Sequence, residues 1–161
     1  MNVSEALGLP PPAPTNRLLA GFATSRAGAW ISARTAHLLD RALARTGHMT
    51  HPLAVLVTTT GAKSAEPRTS PLLAIPWGDD VCLIGSGFGQ RPTPGWVYNL
   101  EAHPEATISK GSKSVEVHTR RAHGDEKAAI FEAAARIYPG YAIYPKRAAH
   151  REIRVFVASS A

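Results

Sequence analysis

The sequence predicts a mainly antiparallel β-barrel with peripheral helices, an α+β fold rather than a doubly wound sheet. Three observations carry this. Short runs rich in Val, Ile, Leu and Thr alternate with turns containing Gly and Pro. Three of these runs follow each other through tight turns, and the crossovers of about 10–15 residues that parallel strands need are mostly missing. Thirteen Gly and 13 Pro in 161 residues also favour a turn-rich fold over a helix bundle.

The elements follow in order. Residues 1–16 hold Pro10, Pro11, Pro12 and Pro14, which exclude a regular helix and predict a flexible, Pro-rich arm. Residues 17–46 lack Pro and read as a basic amphipathic helical segment. Leu18, Phe22, Trp30, Leu38, Leu39 and Leu43 are interleaved there with Arg26, Arg34, Arg41 and Arg45. That segment has two readings: packing on the domain's core, or peripheral contact with anionic lipid headgroups. Residues 47–161 carry the barrel. Leu53–Thr59 is a β-branched run expected to be a strand buried on both faces. Thr69–Trp77 is a second strand, interrupted at Pro71 by a bulge or edge. Gly78, Asp79 and Asp80 make a hairpin turn into a third strand, Val81–Gly85. Thr93 as N-cap and Pro94 at the first helical position start a short helix that His103 and Pro104 end. Ala106–Ser109 and Val115–Arg121 are strands. Asp125 opens a helix with Ile130, Ala133, Ala134 and Ile137 on one face, stopped by Pro139 and Gly140. Ile153–Val157 is a last strand.

Eighteen Lys and Arg against 12 Asp and Glu leave a net charge of +6, which predicts an anionic partner. One cysteine, Cys82, excludes a disulfide framework and a multi-Cys zinc site and points to a reducing, cytoplasmic setting. The N-terminus reads as no secretory signal, and no apolar run approaches the roughly 18 residues of a membrane span. HExxH, GxSxG and P-loop motifs are absent, and His48 and His51 lack partners that would complete a metal site.

Three stretches carry chemistry. The first runs from Thr58 through Gly61, Lys63 and Ser64 to Arg68. A strand delivers hydroxyls, turn amides and two cations into one loop suited to a phosphate or carboxylate, or to an ordinary solvated hairpin. The second is Gly85–Arg91, leading to a helix start with Trp96 and Asn99. Its small residues admit a flat ligand close to the backbone, or leave Trp96 as a core anchor. The third is Tyr138, Tyr141 and Tyr144. Three phenols three residues apart either line a pocket for a planar substrate or pack over a barrel mouth.

Taken in order, these motifs resemble the deazaflavin-dependent nitroreductase family. The residues are Thr58, Thr59, Thr60, Gly61, Lys63, Ser64, Arg68, Pro71 and Leu72, then Gly85, Ser86 and Gly87. Trp96, Asn99, Leu100, Ala102 and Pro104 follow, then Tyr138, Pro139, Tyr141 and Tyr144, then Arg151, Glu152 and Ile153. The similarity spans roughly residues 15–158. It implies a split β-barrel, related to the FMN-binding pyridoxamine oxidase fold, that binds coenzyme F420. Two positions depart from the family's pattern. Ala62 stands where a basic residue is usual, and Ala65 where Gly is usual.

The resemblance implies roles. Lys63, Ser64 and Arg68 hold the cofactor's phosphate and oligoglutamate tail. Pro71 and Leu72 line the deazaflavin ring. Ser86, Gly87, Trp96 and Asn99 complete the groove, and Tyr138, Tyr141 and Tyr144 face the substrate. The implied activity is hydride transfer from reduced F420 to a small hydrophobic acceptor: a quinone, a nitroaromatic or an enone. A phenol of ordinary pKa, about 10, is still protonated at neutral pH and can donate a proton. Tyr138 or Tyr141 is the first choice. The alternatives are the same barrel using FMN or binding a flavin without turnover, and a basic module for nucleic acid or a membrane surface. Scattered bases and 7% aromatic residues make nucleic acid the least supported partner. Monomer and homodimer both stay open.

Overall fold

The computed structural model describes residues 1–13, Ser25 and residues 51–161. The helix expected over 17–46, with its membrane reading, lies outside the described residues. Among these residues the order is α1 (Val3–Ala6), β1 (Ala54–Thr60), β2 (Pro67–Leu73), β3 (Ile75–Trp77) and β4 (Asp80–Ile84). Then come α2 (Gly95–Ala102), β5 (Glu105–Lys110), β6 (Lys113–Arg121), α3 (Gly124–Ile137), α4 (Gly140–Arg147) and β7 (Val155–Ser160). A turn of 3₁₀ helix at Gly87–Gly89 precedes α2.

The seven strands form one antiparallel sheet in the order β2-β1-β5-β6-β7-β4-β3. Its two outer strands are consecutive in the chain and are separated only by Ala74. A flat sheet cannot place neighbours in sequence at opposite edges, so this one curls into a split barrel. Ala74 marks the corner. It is fully buried, and its N–H bonds the Leu53 carbonyl at 2.9 Å. The single strand expected over Thr69–Trp77 is therefore two, and the break falls at Ala74 rather than Pro71. Pro71 lacks a donor yet sits in β2, whose outer side has no ladder to complete.

The barrel interior is one apolar cluster that includes Val55, Val57, Val81, Leu83, Val97, Ile108, Val117 and Phe156. β6 shows the alternation most cleanly, with Val115, Val117 and Thr119 inward and their neighbours exposed. β1 was expected to be buried on both faces. Instead Val55, Val57 and Thr59 point inward while Leu56 and Thr58 are half-buried, as an antiparallel barrel strand requires. β4 and β7 are the strands covered on both sides. Their second face, with Cys82, Ile84, Val155 and Val157, lies under Ile130, Ala134 and Ile137 of α3 and Tyr141 and Tyr144 of α4. Burial among apolar neighbours pushes the Cys82 thiol up to about 12, so it is an inert core residue.

The N-terminus corrects one expectation. Residues 3–6 form a helical turn capped by Asn2, whose Oδ1 accepts from the Glu5 N–H at 3.1 Å. Val3 and Leu7 are 0% and 1% exposed and belong to the barrel core. The prolines that suggested an arm begin only at Pro10, after two side chains large enough to fill the barrel's end. Leu7→Ala is expected to lower the unfolding free energy by about 2–5 kcal/mol in urea titration. A change under about 0.5 kcal/mol, the range of surface substitutions, shows that the segment does not pack there.

Candidate functional site

Two loops meet across α2. The first joins β1 to β2. Gly61 N–H bonds the Glu66 carbonyl at 2.8 Å, and Ala65 N–H bonds the Gly61 carbonyl at 2.9 Å. The turn is so tight that a Cβ on Gly61 would lie 2.5 Å from Ser64 Oγ. Asn99 of α2 clamps this loop: its Oδ1 accepts from Ala62 N–H and its Nδ2 donates to Thr59 Oγ1, each at 3.0 Å. Lys63 and Ser64 are thereby presented to solvent. Arg68 is also exposed and pairs with Glu66 at 3.0 Å, a surface pair that leaves the guanidinium accessible.

Ala65 holds φ +57°. The residue that replaces the usual Gly thus keeps the left-handed conformation a Gly adopts freely. Ala65→Gly is expected to raise stability by about 0.5–1 kcal/mol, the left-handed penalty less the entropy of Gly, read as the urea midpoint. A lower midpoint refutes strain at this turn.

The second loop follows β4. Gly87, Phe88 and Gly89 all have positive φ, at 51°, 56° and 74°. The Phe88 ring lies edge-on to Tyr144 with centroids 6.1 Å apart. A Cβ on Gly89 would sit 2.8 Å from Arg147 Cβ, so this loop packs directly on α4. α2 links the two loops. Its Pro94 touches Gly87, its N-terminus has no side-chain cap, and Glu101 anchors it to Arg154 at 2.8 Å and Arg121 at 3.3 Å.

The three tyrosines do come together. Ring centroids lie 5.9 Å apart for Tyr138–Tyr141 and Tyr141–Tyr144, and 6.4 Å for Tyr138–Tyr144. Their approach depends on Gly140, where a Cβ would fall 2.3 Å from Tyr138 Cε1 and 2.6 Å from Tyr144 Oη. Tyr141 and Tyr144 are buried, and burial pushes both phenols well above their ordinary value. Tyr138 is the half-exposed member, with its hydroxyl 3.5 Å from that of Tyr144. The helix break expected at Pro139 is brief. α4 starts at Gly140 and continues through Pro145 to Arg147.

Other expected site residues fall differently. Ser86 is buried and Gly87 half-buried in the second loop. Pro71 and Leu72 are half-buried in the edge strand β2, with Leu72 packed on the barrel core. Trp96 is 5% exposed, its ring tilted on Phe156 at 5.8 Å. It anchors α2 from inside, at a position on the helix that faces the barrel core. Asn99 positions the first loop, since both ends of its amide are engaged.

Sequence reasoning missed His51. Its ring stands edge-on to Tyr138 at 6.3 Å, and its Nδ1 accepts from Leu53 N–H at 3.1 Å. Burial, and then the nearby Lys110 charge, hold its pKa below the ordinary 6.5. No sequence pattern marks a lone His before a strand. Among the described residues there is no group of three or more His, Cys, Asp or Glu able to hold a metal, and no helix long and apolar enough to cross a membrane.

Comparison with known proteins identifies the family and the fold. Residues 32–160 match the family model described as F420H(2)-dependent quinone reductase. An F420H(2)-dependent quinone reductase of Mycobacterium tuberculosis (strain ATCC 25618 / H37Rv) is 40% identical over 62 residues, 38% of this chain and 42% of that protein. The chain thus spans about two-fifths of the length of that curated relative. A solved F420-H2 dependent reductase has TM-score 0.60 and 31% identity over 66% of this chain and 94% of its own. A second solved chain, a domain-swapped dimer, has TM-score 0.62 and 29% identity over 81% of this chain and 97% of its own. A haem storage protein of Vibrio cholerae shares only the fold, with TM-score 0.53 at 9% identity. The family model covers most of the chain, and the split barrel is common to these structures: this chain belongs to the F420H(2)-dependent quinone reductase family, whose cofactor is coenzyme F420.

Proposed function

We propose that this protein is an F420-dependent oxidoreductase that reduces a small hydrophobic acceptor, of which a quinone is the first choice and nitroaromatics and enones the others. One observation carries the reading. A cation-bearing loop and an aromatic-backed glycine loop flank the same short helix, whose first N–H groups carry no side-chain cap. That donor set fits F420. Exposed Lys63, Ser64 and Arg68, with the uncapped start of α2, suit a phosphate and a glutamate tail. The glycine loop packs closely on its neighbours, where a Cβ at Gly85, Gly87 or Gly89 would meet Val97, Pro94 or Arg147.

When bound in reduced form, the cofactor supplies a hydride to an acceptor stacked on it. The chain's own residues then bind, orient and protonate. Lys63, Ser64 and Arg68 hold anionic groups, and Asn99 keeps their loop in place. Phe88 and the tyrosines give an apolar, aromatic flank that excludes water from the acceptor. Tyr138 is the proton donor this arrangement favours, because its phenol is the half-exposed one while Tyr141 and Tyr144 form its support. Reduction of a quinone to its hydroquinone needs the hydride and one proton, which Tyr138 delivers to the acceptor oxygen and regains from solvent.

The test is direct. The protein is titrated separately with F420 and FMN by fluorescence, then reduced F420 is offered with menadione. Tight F420 binding without FMN binding, and quinone-dependent oxidation of the reduced cofactor, are expected. Binding of FMN alone overturns the reading.

A further inference from the structure

The glycine loop is held from behind by one side chain. The Arg151 guanidinium donates to the Ser86 carbonyl from Nη2 at 2.7 Å, to Gly85 from Nη1 at 3.1 Å, and to Gln90 from Nε at 3.1 Å. The neighbouring His150 Nε2 lies 3.0 Å from the Arg91 carbonyl. Four carbonyls of one loop are thus drawn toward the segment between α4 and β7. A trans peptide points its N–H opposite to its C=O. The Ser86–Gly87 and Gln90–Arg91 peptides therefore turn the N–H groups of Gly87 and Arg91 away from the guanidinium. Neither N–H has an acceptor among the described residues. Arg151 has no carboxylate partner among the described residues either, so three neutral carbonyls surround a full positive charge.

We infer that Arg151 is the positioning residue of the cofactor site: it fixes the Gly85–Arg91 loop so that the Gly87 and Arg91 N–H groups face outward as donors to acceptor oxygens of the bound cofactor, with its own charge behind them. The inference rests on the F420 reading for its ligand, though not for the loop geometry. Gly is needed at 87 for the same reason. A Cβ there would fall 3.2 Å from Pro94 Cγ and 3.6 Å from Arg151 Nη2, in a residue already at positive φ. Arg is needed at 151 because only its planar fork reaches three carbonyls at once. Lys supplies the charge without the fork.

The test compares wild type, Arg151→Lys and Arg151→Met. Two quantities are read: the F420 dissociation constant, and the amide ¹⁵N–¹H signals of the cofactor-free protein. Arg151→Met is expected to weaken F420 binding at least about tenfold, as for loss of charge-assisted hydrogen bonds. The signals of Gly85, Gly87, Gly89 and Arg91 should shift or broaden while those of β5 and β6 stay in place. Arg151→Lys should disturb the same loop amides and bind with intermediate affinity. If Arg151→Met does not fold, Arg151→Lys decides: wild-type affinity with unmoved loop signals overturns the proposal. A weaker affinity with unmoved loop signals also overturns it, since bulk charge alone then accounts for the loss. Wild type that binds no F420 overturns the functional reading instead, and the loop signals of the variants then judge Arg151 by themselves.

Discussion

Tyr138→Phe is expected to lower quinone turnover about 10²-fold, the usual contribution of a positioned general acid. The F420 dissociation constant should stay within about twofold of wild type. The argument is one of access. The three phenols form one cluster, yet Tyr141 and Tyr144 are 6% and 2% exposed and burial holds their protons tightly. A phenol whose ionised form is that unfavourable is a poor acid for a substrate that must reach it. Tyr141→Phe should therefore cost only a few-fold in turnover. Steady-state kinetics with menadione, beside a fluorescence titration of the cofactor, separates the two effects. Turnover unchanged in Tyr138→Phe removes the proton-donor role.

Gly140→Ala is expected to be more damaging than its size suggests. The added methyl would meet Tyr138 Cε1 at 2.3 Å and Tyr144 Cζ and Oη at 2.6 Å. No buried pair of atoms tolerates such approach, and Tyr144 is packed between Phe88, Tyr138 and Tyr141, so it cannot swing clear. Overpacking of this kind costs about 1–3 kcal/mol. The same displacement moves the phenol argued to donate the proton, so turnover should fall along with stability. Thermal denaturation and turnover are measured on one preparation. A variant as stable and active as wild type shows that α4 packs differently from this structure.

Much of the fold was legible because its signals are local. β-branched runs bounded by Gly, Pro and Asp mark β1, β4, β5 and β6, and the Ile130–Ala134–Ile137 spacing marks α3. What escaped were features decided by distant neighbours. Ala74 reads as any small residue in a strand, and only the meeting of two sheet edges makes it a corner. Val3 and Leu7 precede a run of prolines, and only an open barrel end makes them core. β1 reads as doubly buried because its residues are apolar, although the helices cover β4 and β7 instead.

The candidate site divides in the same way. The sequence by itself determined which chemistry is present. It shows cations and hydroxyls in one loop, glycines in another, three phenols at a spacing of three, and an ordered set of motifs that named the family. Where each of those groups sits, and what it touches, came from the tertiary structure. It placed Trp96 in the core, turned Asn99 into a clamp, brought His51 beside Tyr138, and left one tyrosine of three within reach. It also set Arg151 behind the glycine loop, more than 60 residues along the chain from the carbonyls it holds. The physical reason is that composition and spacing report which groups a segment carries, while exposure, hydrogen-bond partners and proton affinity depend on what packs against it. In a curled sheet those neighbours come from elsewhere in the chain.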